Sequence, residues 1–110
     1  MTHIIIELDN SHRISFYPAA LSIHDVKLDI TLDGLKHKSR NISMTVPLNS
    51  CHSTNGDEPI HEQLFDNKFQ KIIASVNGQV WVFTDINMRY YESNIENGYI
   101  KIGCQNDGPE

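Results

Sequence analysis

The residues that could perform chemistry in this chain of 110 residues are six histidines and two cysteines. Cys51 and His52 are adjacent, and neighbouring side chains on an extended backbone point to opposite sides, so the two do not form a nucleophile and its base. The histidines lack the spacing of metal ligands, and two distant cysteines do not make a zinc signature. We therefore predict no catalytic residue, no metal site and no cofactor, although an all-β enzyme stays open.

The remaining short motifs indicate location more than chemistry. The six glycines are scattered and are assigned to turns, so they form no glycine-rich phosphate loop. Asn41-Ile42-Ser43 matches a glycosylation acceptor, but the first residues do not resemble a secretion signal, and no segment is long and apolar enough to span a membrane. We expect a cytoplasmic protein in which Cys51 and Cys104 stay thiols, and whether the two meet is left open.

The sharpest candidate for a site is one face of a hairpin predicted around a two-residue turn at Asn97-Gly98. Alternation along its two strands places Ile95 with the apolar residues on one face and separates them from a polar set that combines tyrosines with charge. Rigid aromatic area beside negative charge suits a basic protein partner, whereas the alternative is a solvated strand face whose tyrosines only favour β-structure. The predicted contact residues on this face are Tyr90, Glu92, Asn94, Glu96, Tyr99 and Lys101.

Acidic charge is concentrated in the second half of the chain. Residues 1–54 carry five acids and five bases, whereas residues 55–110 carry nine acids and four bases, which accounts for the formal net charge of −5. Glu58, Glu62 and Asp66 recur at four-residue steps and are predicted to share the exposed side of a short helix that extends the same contact surface. We expect one cognate basic protein as the partner, and neither nucleic acid nor membrane; ordinary solubility charge is the alternative.

The elements that must position these residues are antiparallel strands joined by tight turns. A three-residue loop at Asp9-Asn10-Ser11 sets Ile6 opposite Ile14 on the apolar face of a first hairpin. Asn77-Gly78 predicts a two-residue type I′ turn, because both of its positions need φ > 0. Both faces of the Asn77-Gly78 ribbon are largely apolar, so we expect it in the middle of the sheet, covered on both sides.

A further strand is predicted between His24 and Leu32, where apolar and charged residues alternate. A two-residue turn at Asp33-Gly34 would pair apolar with polar residues across the next strand. A five-residue loop that ends at His37 instead sets Val26 opposite Met44, so the longer loop is the prediction. Its register also sets Leu28 opposite Ile42 and His24 opposite Val46.

These elements together predict one domain over residues 1–110. The predicted class is all-β and mainly antiparallel, as a sandwich or a partly open barrel of about eight strands with one short helix around residues 58–66. Asp57 is expected to cap that helix, with Ile60, Leu64 and Phe65 on its buried side. Residues 49–59 are expected to form a polar loop, and the tail 105–110 to fray.

A small, acidic domain of this kind, with a polar hairpin face and no catalytic motif, resembles the single-domain immunity proteins of bacterial toxin–immunity systems, such as those of contact-dependent growth inhibition. The resemblance covers the whole chain in kind only. It implies a cytoplasmic antitoxin that binds and blocks a basic toxin such as a nuclease. Two alternatives stay open: a small-ligand or glycan-binding sandwich or barrel with Trp81 in its pocket, and a structural homo-oligomer that pairs through an unpaired edge strand.

Overall fold

The fold is built from strands whose side chains alternate between buried and exposed positions. The structure, a computed structural model, describes residues 2–27 and 37–109. The strand pairings within these ranges are antiparallel. The elements are β1 (Thr2–Leu8), β2 (Arg13–Phe16), β3 (Ala20–Lys27), β4 (His37–Pro47), β5 (His52–Ser53), α1 (Ile60–Asp66), β6 (Phe69–Val76), β7 (Gln79–Phe83), β8 (Ile86–Asn94) and β9 (Tyr99–Pro109).

The nine described strands form two sheets. The first has the order β5-β2-β1-β6-β7, and the second has the order β3-β4-β9-β8. A single cluster of buried side chains is shared by both sheets, so the sheets pack as a sandwich. The predicted all-β, mainly antiparallel class with one short helix is confirmed. In the described residues, no helix has the length and apolar character needed to cross a membrane.

The core lies between the inner faces of the two sheets. Ile4, Ile6 and Leu8 alternate along β1 and are fully buried, which is the two-residue period of a strand with one face on the core. Leu64 of α1 is equally buried and joins the same cluster. The other buried hydrophobic residues are Ile14, Phe16, Ile42, Met44, Val46, Phe69, Ile72, Ala74, Phe83, Ile100, Ile102 and Cys104.

Two hairpins have the register that their turn residues predict. In the first, Ile6 lies opposite Ile14, and Ser11 adopts a positive φ of 72° in the three-residue loop. In the second, Asn77 and Gly78 have φ values of 49° and 87°, as a type I′ turn requires. The resulting β6–β7 register, with Ala74 opposite Trp81, is the predicted one.

The predicted position of the β6–β7 ribbon is wrong for one of its strands. β6 is an interior strand between β1 and β7, but β7 is the edge of the five-stranded sheet. On the outer face of the sheet, Val80 is 65% exposed and Val82 is 53% exposed. The apolar residues on both faces of the ribbon predicted that other parts of the chain cover both faces. No described part of the chain covers the outer face of β7.

The predicted register between β3 and β4 is also wrong. Ile23 lies opposite Ile42 and Leu21 opposite Met44, so His24 faces Asn41 and not Val46, and Val26 faces Ser39 and not Met44. The prediction used only the alternation from His24 onward, whereas Leu21 and Ile23, which pack against the core, select the register. The predicted pairing of Leu28 and the Asp33-Gly34 turn lie outside the described residues.

The predicted helix start and cap need correction. The helix begins at Ile60 with Pro59 at the N-cap position and with no side-chain capping bond, so Asp57 does not cap it. Ile60 and Leu64 pack on the core as expected, but Phe65 is 69% exposed. Seven residues make only two turns, so one side of the helix can reach the core.

The two segments that were expected to be irregular both contain paired strands. Within the polar segment 49–59, β5 pairs with β2, with Ser53 opposite Ile14. The tail expected to fray continues β9 through Pro109, which pairs with His37 of β4. Composition suggested loops in both segments because local residue types do not report on pairing with distant strands.

Candidate functional site

The β8–β9 hairpin presents its polar side chains on the outer face of the four-stranded sheet. Glu92 lies opposite Lys101, Asn94 opposite Tyr99, and Tyr90 opposite Gly103. Tyr91 and Ser93 alternate with them and lie opposite Ile102 and Ile100, which are buried in the core. The structure therefore places five of the six predicted hairpin residues on one face, which we call the tyrosine face (Tyr90, Glu92, Asn94, Tyr99 and Lys101).

The turn of this hairpin differs from the predicted two-residue turn. Residues Ile95–Asn97 form a 3₁₀ turn, and Gly98 follows with φ 80° and ψ 25° and donates its N–H to the Ile95 carbonyl at 3.0 Å. Because Asn97 does not have a positive φ, no type I′ turn forms, and the register moves by two residues. A two-residue shift preserves the faces, but Ile95 leaves the core face and is exposed, and Glu96 lies in the exposed turn.

One contact between strands and one within β9 orient Tyr99 at the far end of the tyrosine face. The Asn94 amide donates a hydrogen bond to the Tyr99 hydroxyl at 2.9 Å. The Lys101 ammonium lies 5.9 Å from the centroid of the Tyr99 ring, within the range of a cation–π contact. The hydroxyl of Tyr99 and its ring therefore each have a partner on this face. These contacts favour one orientation of the side chain before a binding partner arrives, which lowers the entropy cost of binding.

Tyr90 is oriented by a glycine in the neighbouring strand. A Cβ atom at Gly103 would overlap ring carbons of Tyr90, so the ring lies directly over the backbone of β9. Tyr90 remains 42% exposed. The sequence assigned Gly103 to a turn, but the residue is buried within β9 and lets the aromatic ring approach the sheet.

The tyrosine face continues into residues that the sequence did not single out. Ser22 of β3 lies opposite Ser43 of β4, which lies opposite Gly103, so small residues lead across the sheet to Tyr90. Tyr90 and Lys101 line a shallow groove of about 150 Å³ together with residues of β3 and β4. The pairing of β3, β4 and β9 places these residues beside Tyr90, and the sequence alone does not reveal that pairing.

Of the three acids predicted to share one side of the helix, Glu62 and Asp66 lie in α1, whereas Glu58 precedes its first residue, Ile60. Glu58, Glu62 and Asp66 are all accessible to solvent. The helix is attached to β8 by Tyr91, whose hydroxyl donates to the His61 carbonyl at 3.0 Å and whose ring packs on Phe65 at 5.3 Å between centroids. The pKa of Tyr91 is raised first by burial and then by the negative charge of Asp66. α1 thus contacts β8 through Tyr91, whose side chain points to the other side of the strand from Tyr90 and Glu92.

A buried amide fixes the polar segment before this helix. Gln63 is fully buried, and its carbonyl oxygen accepts a hydrogen bond from the Ser53 hydroxyl at 2.6 Å. Its amide nitrogen donates to the carbonyls of Asn55 and Glu58, at 3.1 Å and 2.7 Å. The sequence did not identify Gln63, because a glutamine in a short helix is ordinarily a solvent-exposed residue.

The cysteines do not have the properties of nucleophiles. Cys51 donates its S–H to the Pro47 carbonyl at 3.2 Å, and burial raises its pKa to about 11. Burial raises the pKa of Cys104 to about 12. Both are free thiols that stay protonated near neutral pH, whereas nucleophilic cysteines have lowered pKa values. Among the residues that the structure describes, no group of three or more His, Cys, Asp or Glu side chains is placed to hold a metal ion.

Two of the clefts that the described residues form outside the tyrosine face are lined by an aromatic side chain that is not buried. One, of about 280 Å³, is lined by Leu21, Ile23, Val76, Gln79 and Trp81 at the open side of the sandwich. The guanidinium of Arg40 lies 5.0 Å from the centroid of the Trp81 ring. The other, of about 390 Å³, lies between the end of α1 and the start of β8 and includes the exposed Phe65 and Met88.

Comparison of the chain with known proteins found no matching family model, no matching curated protein and no matching solved structure.

Proposed function

We propose that the protein is a non-catalytic binding module, namely a cytoplasmic immunity protein that binds and blocks a basic bacterial toxin such as a nuclease. The observation that carries this proposal is the tyrosine face: an exposed sheet surface on which two tyrosine rings, oriented by Asn94 and by the close approach to Gly103, share one side of the hairpin with the carboxylate of Glu92. A pre-arranged surface of this kind loses little conformational entropy on binding.

The charge of the chain supports a basic partner. Glu92 and Glu96 are exposed at the hairpin, and Glu62 and Asp66 are exposed on α1, which is bonded to the same strand through Tyr91. Carboxylates around a contact surface attract a positively charged protein over roughly a Debye length of about 8 Å at physiological salt, which raises the association rate. A nuclease is one such partner, because an enzyme that binds a phosphate backbone needs a basic active-site surface.

The tyrosines supply the contact area that charge alone does not. Tyr90 and Tyr99 are amphipathic and have few rotatable bonds, and tyrosine is enriched among the residues that dominate interface energies. The hydrogen bond from Asn94 and the close approach to Gly103 orient these rings before binding. Substitution of either tyrosine by alanine is therefore expected to weaken binding of the partner more than removal of a single carboxylate at the edge of the contact.

The chemistry of the thiols supports a binding role over catalysis. The pKa values of Cys51 and Cys104 are raised to about 11 and about 12, so neither provides a thiolate at neutral pH. In this proposal the chain acts by covering the active site of its partner, and no bond is made or broken on the protein.

The experiment that tests the proposal compares two variants of equal charge change. The tagged chain is used to capture proteins from its native host, and a single basic protein retained in near-stoichiometric amount is the expected result. Glu92→Lys with Glu96→Lys is expected to weaken its affinity for that protein by at least tenfold, because two attractive contacts become repulsive. Asp9→Lys with Asp85→Lys changes two exposed acids away from the predicted contact residues and serves as the matched control.

The control defines what would overturn the proposal. If both double variants weaken binding equally, the effect is one of net charge and the tyrosine face is not the contact surface. If no basic protein is retained at low or moderate salt, the neutralising-partner function is wrong.

A second candidate function is supported by the cleft beside Trp81. This side chain is only half-buried and lines a concave surface with Leu21 and Ile23, as a ligand- or glycan-binding site requires. Titration with small sugars and apolar ligands, followed by the fluorescence of the single tryptophan, tests it. A saturable change that also protects Trp81 from a neutral quencher would favour this function over the first.

A further inference from the structure

Four of the strands that the structure describes form the edges of the two sheets, and three of them carry features that discourage pairing with another chain. β5 is only two residues long. β8 contains a bulge between Met88 and Tyr90 and carries the charges of Arg89 and Glu92. β3 contains Asp25 and Lys27. Short length, bulges and charge are the devices by which edge strands avoid pairing between molecules.

The fourth edge, β7, has none of these devices. Gln79–Phe83 has the sequence Gln-Val-Trp-Val-Phe, which contains no charged residue and no proline. The structure records no register shift between β6 and β7, and among the described strands β7 pairs only with β6. It therefore offers a regular row of backbone groups on its free side.

The free backbone groups of β7 can be assigned from its hairpin. In a two-residue hairpin the residues that flank the turn form a hydrogen-bonded pair, which here is Val76 with Gln79. Because hydrogen-bonded and non-hydrogen-bonded positions alternate, Trp81 also directs its backbone groups toward β6. Val80 and Val82 direct theirs outward, to an incoming strand.

We infer that β7 pairs with β7 of a second copy of this chain, in an antiparallel register centred on Trp81. A two-fold axis at Trp81 sets Val80 opposite Val82 of the other copy, so both outward-facing positions of one copy meet both of the other. The two five-stranded sheets then form one continuous sheet of ten strands. Isologous pairing about a two-fold axis is the commonest arrangement of homo-oligomers.

The side chains around the axis fit this occupant. On the outer face, Ile5, Ile73 and Val82 form an apolar row across β1, β6 and β7, and the pairing extends this row with Val80 of the other copy. Continuing the register beyond β7 sets Asp85 opposite Asn77, so no two like charges lie opposite each other along the strands. Each chain carries a formal net charge of −5, so two copies repel each other. β7 carries no charge, so two copies can pair along it without placing like charges opposite each other.

The pairing also accounts for the apolar pattern on the outer face of β7. Val80 and Val82 are the two most exposed aliphatic residues of the sheet, at 65% and 53%. The contact of two five-residue strands is small, so a weak, concentration-dependent dimer is expected. The inference does not depend on the tyrosine face, which lies on the other sheet.

The experiment measures the mass of the full chain by sedimentation over about 1 to about 300 µM, a range suited to a small interface. A monomer–dimer equilibrium is the expected result, with a parallel change in the emission of Trp81, which lies on the proposed axis. A chain that stays monomeric over this whole range overturns the inference.

Two double variants test the register. Val80→Lys with Val82→Lys places lysine opposite lysine at both pairs and is expected to weaken dimerisation at least tenfold. Val80→Lys with Val82→Glu places lysine opposite glutamate at both pairs and is expected to retain the dimer, although it alters the same two residues. The two lysines also lower the net negative charge of the chain, which reduces the general repulsion between copies. General charge would therefore strengthen the dimer in this variant, whereas the proposed register predicts that the dimer weakens.

The remaining outcomes are also decisive. If both variants remain folded by circular dichroism and lose the dimer equally, the register centred on Trp81 is wrong. If both retain it, the dimer uses another surface and the inference is overturned. Exposure of both valines in the monomer favours folding of each variant, and thermal unfolding of the two provides the check.

Discussion

Tyr90 and Gly103 lie opposite each other in β8 and β9, and the tyrosine ring occupies the space above the glycine. Gly103→Ala is expected to lower the free energy of unfolding by about 1 to 2 kcal/mol, because the new methyl group displaces the ring. Gly103 does not have a positive φ, so its backbone accepts alanine without strain. Denaturation in urea measures the change.

The same substitution in a Tyr90→Ala background is the control for this contact. With the ring removed, Gly103→Ala is expected to be neutral or to stabilise the strand by about 0.5 kcal/mol, since alanine loses less backbone entropy than glycine on folding. Equal destabilisation in both backgrounds would show that the backbone of β9, and not the ring, requires glycine.

At the scale of single residues, the sequence identified those site members that alternate along one hairpin. Glu92, Asn94 and Lys101 share a face because side chains alternate along paired strands, and this alternation survives the change of turn. Ser43 and Gly103 were not identified as parts of the site, because their places beside Tyr90 depend on pairing between distant strands. Local pattern reports which side of a strand a residue occupies, but not what lies beside it in the sheet.

At the scale of elements, the two Asn-Gly pairs show what turn chemistry can and cannot predict. Asn77-Gly78 adopts the two positive φ values of a type I′ turn, and its hairpin has the predicted register. Asn97 adopts no positive φ, and Gly98 instead ends a 3₁₀ turn in the left-handed region. In the second hairpin, the ladder from β8 to β9 overrides the local preference of the dipeptide for the shorter turn.

This difference predicts unequal effects for the same substitution at the two turns. Asn77→Ala is expected to cost about 1 kcal/mol of unfolding free energy, because alanine is disfavoured at a φ of 49°. Asn97→Ala is expected to cost less than about 0.5 kcal/mol, since it removes only an exposed hydrogen bond to Asn94. Urea denaturation of both variants checks the order, and a larger loss for Asn97→Ala would contradict it.

The register of β3 and β4 illustrates the same limit between elements. Leu21 and Ile23 pack on the core opposite Met44 and Ile42, and a register chosen from the charged alternation after His24 missed them. The class of the fold was predictable because alternating segments and turn residues recur along the chain. The sheet order was not, because it depends on which apolar faces meet across the sandwich.

At the scale of the whole molecule, the two proposed contacts lie on different sheets and depend differently on charge. The tyrosine face belongs to the four-stranded sheet and, together with Glu96 in the adjoining turn, is proposed to attract a basic partner, whereas β7 belongs to the five-stranded sheet and is uncharged. Two copies that each carry a formal charge of −5 repel each other at long range, and salt screens this repulsion.

Salt is therefore expected to shift the two equilibria in opposite directions. Raising sodium chloride from about 20 mM to about 500 mM shortens the screening length from about 20 Å to about 4 Å, which weakens binding of a basic partner and strengthens the β7 dimer. Sedimentation measures the dimer, and titration of the captured partner measures the other contact. Hydrogen-bonded and apolar contacts between two acidic chains become stronger when salt screens the repulsion between the chains. If the dimer instead dissociates as salt rises, the copies associate through charged residues and not through β7.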